Sequence, residues 1–135
     1  MKKLLPLILL IFIGCSKEPI NMNEMLVERN YVYYTRDTNQ PYSGPVFKLY
    51  ENGQFEWEGT LKNGIENGPF KTYHKYYPNG LSIEGTYKDG ELHGPYITYY
   101  ENGQIYEEAT FKNGNRDGLY KMFNRNGKLI ISKEY

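Results

Sequence analysis

Cysteine is almost missing from this 135-residue chain. Cys15 is the only one, so no intramolecular disulfide can form. Histidine is nearly as scarce, with His74 and His93 in different parts of the sequence. Zinc needs three or four ligands, so neither a metal site nor a cofactor is expected. Neither sign of charge is in excess: 16 Lys and Arg stand against 16 Asp and Glu. Without a basic stripe, nucleic acid is not an expected partner. Long apolar runs are lacking too. Leu4 to Ile13, interrupted by Pro6, is far shorter than the roughly 20 residues that span a bilayer. After that run there is no helical period of useful length. Ser43, Ser82 and Ser132 sit in no nucleophile elbow. Glu107 and Glu108 would point to opposite faces of a strand, and no glycine-rich loop opens a helix. These absences argue against an enzyme.

The amino terminus has the three-part build of an export signal: Lys2 and Lys3, the apolar run, then Phe12-Ile13-Gly14-Cys15. The last four residues resemble a bacterial lipobox, in which the cysteine is acylated, for example with palmitate. Phe12 departs from the usual Leu. The expectation is a signal over residues 1–14, lipid attachment at Cys15, a polar tether over 15–25 and a folded domain over 26–135. Two or more acyl chains anchor a protein stably without a spanning helix. Ser16 after the cysteine fits outer-membrane delivery in a Gram-negative envelope. Losing Lys2 and Lys3 leaves the remainder slightly acidic.

What the chain has in quantity is aromatic residues and glycine: 15 Tyr, 6 Phe, 1 Trp and 14 Gly. They fall into recurring words. Tyr50-Glu51-Asn52-Gly53 returns as Tyr100-Glu101-Asn102-Gly103, with weaker copies ending at Gly80 and Gly127. Lys62-Asn63-Gly64 recurs at Lys88-Asp89-Gly90 and Lys112-Asn113-Gly114. Gly68-Pro69-Phe70 recurs at Gly94-Pro95-Tyr96 and Gly118-Leu119-Tyr120. With Gly44, the glycines of this third word are spaced 24, 26 and 24 residues apart. Such a period marks a stack of small units. The aromatic and β-branched segments between the words read as strands. The fold expected is all-β: an elongated antiparallel meander of about nine strands, built as repeated β-hairpins in a single sheet.

The turn chemistry carries a register. Pro78-Asn79-Gly80 suits a type I turn followed by a left-handed glycine, a three-residue hairpin loop. Carried to the first unit, it sets Leu49 opposite Phe55, Phe47 opposite Trp57 and Lys48 opposite Glu56. The apolar face would then hold Phe47, Leu49, Phe55, Trp57 and Leu61, continued by Ile97, Tyr99, Ile105 and Phe111, then Phe123, Leu129 and Ile131. The second face would show Tyr50, Tyr96, Tyr100, Tyr106 and Tyr120 with Lys48, Glu56, Glu108 and the Thr60, Thr86, Thr110 series. Those five tyrosines are the candidate binding surface, since Tyr is enriched where proteins meet. Gly59, Gly85 and Ala109 share one strand position, which suggests a large neighbour close by. Tyr73 to Tyr77 carries extra residues, so a longer hairpin is expected near His74 and Lys75.

The Tyr-Glu-Asn-Gly, Lys-Asn/Asp-Gly and Gly-Pro-aromatic words resemble the bacterial variant of the MORN repeat, over Leu26 to Tyr135. The lead-in Leu26-Val27-Glu28-Arg29-Asn30 and Pro41-Tyr42-Ser43-Gly44 is similar as well. The resemblance implies a contact surface rather than chemistry. Some members are envelope lipoproteins and some carry an antitoxin or immunity label. The expected function is a membrane-anchored, non-enzymatic binding or scaffolding protein with an unidentified protein partner. The alternatives are an immunity component that blocks a toxic protein, and a structural protein that binds cell-wall glycan through its aromatics.

Overall fold

A computed structural model describes residues 17–77 and 80–135. The export signal and Cys15 lie outside the described residues. The fold is all-β and dominated by one sheet. Its strands are β1 (Ile20–Asn21), β4 (Gly44–Leu49), β5 (Phe55–Lys62), β7 (Gly68–Tyr73), β8 (Leu81–Lys88), β10 (Gly94–Tyr99), β11 (Ile105–Lys112), β13 (Leu119–Phe123) and β14 (Leu129–Glu134), in that spatial order. From β4 onward each strand pairs antiparallel with the next, as the repeats predict. Short strands β6 (Ile65–Glu66), β9 (Glu91–Leu92) and β12 (Asn115–Arg116) flank β5, β8 and β11.

The lead-in departs from the expected single meander. β1 runs parallel to β4, pairing Ile20 with Val46. A four-residue helix follows at Met22–Met25, and Asn21 caps it. β2 (Leu26–Arg29) and β3 (Val32–Thr35) then form a separate two-stranded ribbon. Regular structure among the described residues therefore includes Ile20 to Met25, within the segment read as tether. The cause is apolar burial. Met22 and Leu26 are buried with Val46 and Leu61, and Ile20, Tyr33, Tyr42 and Trp57 pack around them. Each such aliphatic side chain contributes roughly 1.5–3 kcal/mol.

The three words have three geometries. In the first, Tyr50 N–H donates to Gln54 O at 2.8 Å, and Gly53 N–H donates to Tyr50 O at 2.9 Å with φ +83°. Units three and four repeat this loop at Tyr100 and Asn124. It is the expected three-residue loop with a left-handed glycine. The second word is a two-residue turn with both residues left-handed, for example Asn63 at φ 51° and Gly64 at φ 79°. The third is a bulge where β6, β9 and β12 pass into β7, β10 and β13. In unit two the loop between paired Tyr73 and Leu81 is longer than that between Leu49 and Phe55, as expected. Pro78 and Asn79 lie outside the described residues.

The expected register survives for one pair only. Leu49 does face Phe55, but Lys48 then faces Trp57 and Phe47 faces Glu58. A second bulge, at Glu56, takes up one residue beside the loop. It recurs in every unit, between Thr72 and Tyr73, Thr98 and Tyr99, and Met122 and Phe123. A one-residue slip exchanges the faces for everything beyond it. So Trp57, Leu61, Phe111 and Ile131 do not share a face with Phe47, Leu49 and Phe55. They share one with Val46, Phe70, Tyr96 and Tyr120. Glu108 and the threonine series move to the other side.

Candidate functional site

The two faces differ in kind. The packed face carries Val46, Leu61, Phe70, Ala109 and Tyr120, all buried. Large and small residues alternate across it: Val46 faces Gly59, Phe70 faces Gly85 and Tyr96 faces Ala109. A Cβ on Gly85 would lie 2.8 Å from Phe70 Cε1 and 3.1 Å from Tyr96 Cδ2. The recurrent small residue thus makes room for aromatics on the strands either side. Diagonal ring pairs fill the rest. Phe70 stacks on Tyr87 at 4.4 Å, and Tyr96 meets Phe111 edge-on at 5.3 Å.

The five candidate tyrosines all project on this packed side, but they form no single exposed surface. Tyr120 is 7% exposed and lies beneath the Arg116 guanidinium, 4.3 Å from its ring centre. Tyr96 is half-buried against Phe111. Tyr50 and Tyr100 serve the scaffold: their hydroxyls donate to Tyr73 O at 2.7 Å and Phe123 O at 2.9 Å. Tyr106, the most open at 37%, packs edge-on against Tyr100 at 5.0 Å.

Those tyrosine bonds belong to a lacing that sequence reasoning missed. Each loop ties to the next along one edge of the ribbon. His74 occupies the Tyr50 slot, and its Nε2 lies 3.3 Å from Tyr99 O. Asn52 and Asn102 amides donate to Lys75 O and Arg125 O. Along the opposite edge, Gly64, Gly90 and Gly114 N–H groups donate to Tyr42, Glu66 and Leu92 carbonyls. Ser43 Oγ, Asn67 Oδ1 and His93 Nδ1 accept the neighbouring Asn63, Asp89 and Asn113 amides. Both histidines are therefore structural partners. Among the described residues no group of His, Cys, Asp and Glu could hold a metal ion.

The open face bears three grooves in series. The first, of about 430 Å³, is lined by Pro45, Phe47, Phe55, Glu58, Thr60, Pro69 and Lys71, with Pro19 at its margin. The second, of about 240 Å³, uses Pro69, Lys71, Glu84, Thr86, Pro95 and Ile97. The third, of about 280 Å³, uses Pro95, Ile97, Glu108, Thr110, Leu119 and Lys121. Proline, threonine and glutamate hold the same places each time. Between the grooves, Tyr73 hydroxyl donates to Glu58 Oε1 at 2.6 Å, and Tyr99 hydroxyl donates to Glu84. Burial first, and then these carboxylates, push both phenols up to about 12. Lys121 pairs with Glu108 at 3.7 Å.

The MORN repeat variant family model matches residues 92–113 and 116–135. Over those residues the chain is similar to MORN-variant repeats, and the same strand, loop and bulge pattern extends back to Gly44. No curated protein and no solved structure matches the chain. Among the described residues no helix is long and apolar enough to cross a membrane.

Proposed function

We propose that this chain is a non-enzymatic binding protein of a bacterial envelope, tethered through a lipid on Cys15, that offers its open face to a protein partner. The observation that carries the binding reading is the threefold recurrence of one groove. Each groove joins an apolar floor to a fixed carboxylate. Apolar patches rimmed by polar groups mark protein contact sites. Linked sites gain avidity when one partner spans them. The anchor rests on the sequence: a sole cysteine after a short apolar run, five residues before Ile20, where the first described strand starts.

The test is in-cell cross-linking of three proteins: wild type, a Phe47→Ser/Ile97→Ser pair and Cys15→Ala. The open-face pair is expected to lose a cross-linked partner that wild type retains. Cys15→Ala is expected to move the protein from the membrane to the soluble fraction. Identical partner sets for wild type and the open-face pair would refute the binding reading. Unchanged membrane recovery of Cys15→Ala would refute the anchor.

A further inference from the structure

On the packed face, a cavity of about 250 Å³ opens beside Trp57, separate from the grooves. The bulge creates it. In an unbroken ladder Glu56 would face away from Trp57, whereas here both line the same space with Lys48 and Tyr50. The indole folds back along its own strand. A Cβ on Gly59 would lie 2.6 Å from Trp57 Cη2. The indole lines the opening while also packing against the cluster of Met22, Leu26, Val46 and Leu61, and Met22 belongs to the same lining. Glu66 closes one side, and the Thr72 and Ser82 hydroxyls, bonded to each other at 2.7 Å, form another.

Among the described residues, the charges in this cavity form no ion pair, although Lys48 Nζ lies 5.8 Å from the centre of the Tyr33 ring. Glu58 and Glu84 each hold a tyrosine hydroxyl, Glu107 holds Arg116 at 2.7 Å, and Glu108 pairs with Lys121. Lys48, Glu56 and Glu66 have no side-chain hydrogen bond or ion pair among the described residues. The same slot in unit three shows what a filled version looks like. There Tyr106, Glu107 and Arg116 replace Glu56, Trp57 and Glu66, and the Arg116–Glu107 pair closes it. The charged atoms of Lys48, Glu56 and Glu66 are not among the buried, unbonded ones, so water reaches them and a ligand would replace water there rather than a protein partner.

We propose that the Trp57 cavity binds one pyranose residue, neutral or amino-substituted, either free or at the end of a glycan. A pyranose has an apolar C–H face for the indole and a hydroxyl rim for carboxylates and ammonium. The volume holds a single ring. Lys48, Glu56 and Glu66 together carry a net negative charge, which disfavours a uronic acid. This site is independent of the open-face reading, and it survives if that reading fails.

Trp57 is the only tryptophan, so its emission reports on this cavity alone. The full chain is titrated with N-acetylglucosamine, glucosamine, glucuronate and the β-1,4-linked trimer of N-acetylglucosamine. A saturable change is expected with the first two and none with glucuronate. Tighter binding of the trimer assigns the site to a glycan end, and equal binding assigns it to a free sugar. Glu66→Gln, which keeps the side-chain shape, is expected to weaken binding about tenfold, as loss of a charge-assisted hydrogen bond does. No saturable response to any probe, an equal response to glucuronate, or an unchanged affinity in a folded Glu66→Gln protein overturns the proposal.

Discussion

Two glycines that look alike as letters do different work. Gly53 lies at φ +83° with nothing within 4 Å of where a Cβ would stand. Gly53→Ala should therefore cost only the left-handed backbone penalty, about 1–2 kcal/mol. Gly85 has no such backbone demand, but a Cβ there would meet Phe70 and Tyr96. Gly85→Ala should cost about 1–3 kcal/mol through overpacking. Urea denaturation separates the two causes. Placed on Phe70→Leu, the Gly85→Ala penalty should shrink, whereas the Gly53→Ala penalty should not. Equal penalties in both backgrounds would show that no large-beside-small packing operates. The sequence already showed that Gly59, Gly85 and Ala109 share a position. It did not show which ring fills each gap: Trp57 of the same strand at Gly59, and Phe70 and Tyr96 of the two flanking strands at Gly85.

Among the elements, the hairpin loop was legible and the adjoining bulge was not. The loop leaves a signature because its last position demands a left-handed glycine. The bulge demands nothing comparable. Its extra residue is Glu56 in the first unit, Ser82 in the second, Tyr106 in the third and Ile130 in the fourth. Four such different side chains leave no pattern, and missing that residue interchanged half of each face. The lacing is likewise an inter-element property. Tyr100→Phe removes the bond to Phe123 O while keeping the ring. It should cost about 0.5–1.5 kcal/mol. Amide exchange in the Asn124–Lys128 loop should accelerate, while the Tyr50–Gln54 loop stays unchanged. Uniform acceleration, or none, would show that the hydroxyl does not hold successive hairpins together.

For the whole molecule, the array is a one-dimensional stack in which each hairpin touches its neighbours, as repeat proteins do. Its titration at high pH should reveal the half-buried phenols. Tyr73 and Tyr99 titrate near 12 in the folded chain against 10.0 when exposed. A raised folded value means the proton is held more tightly in the native state. Their contribution to stability is therefore complete below pH 10 and lost as pH climbs toward 12. The urea midpoint should hold steady up to about pH 10 and then fall. Tyr73→Phe/Tyr99→Phe should flatten that fall, with Tyr33 accounting for part of the remainder. An identical decline in the variant would mean other groups control it.

By itself, the sequence determined the all-β class, the unit length and the loop type, because each follows from local stereochemistry or residue type. Tertiary structure decided which side chains meet. Parity along a strand depends on bulges that carry no residue preference, and a slip of one position reassigns every contact beyond it. Tyr120 passed from candidate surface to core for a tertiary reason too: the Arg116 guanidinium and the Tyr135 ring pack on it. The unpaired charges around Trp57 became visible only when the ladder brought Lys48 opposite it and turned Glu56 to its side.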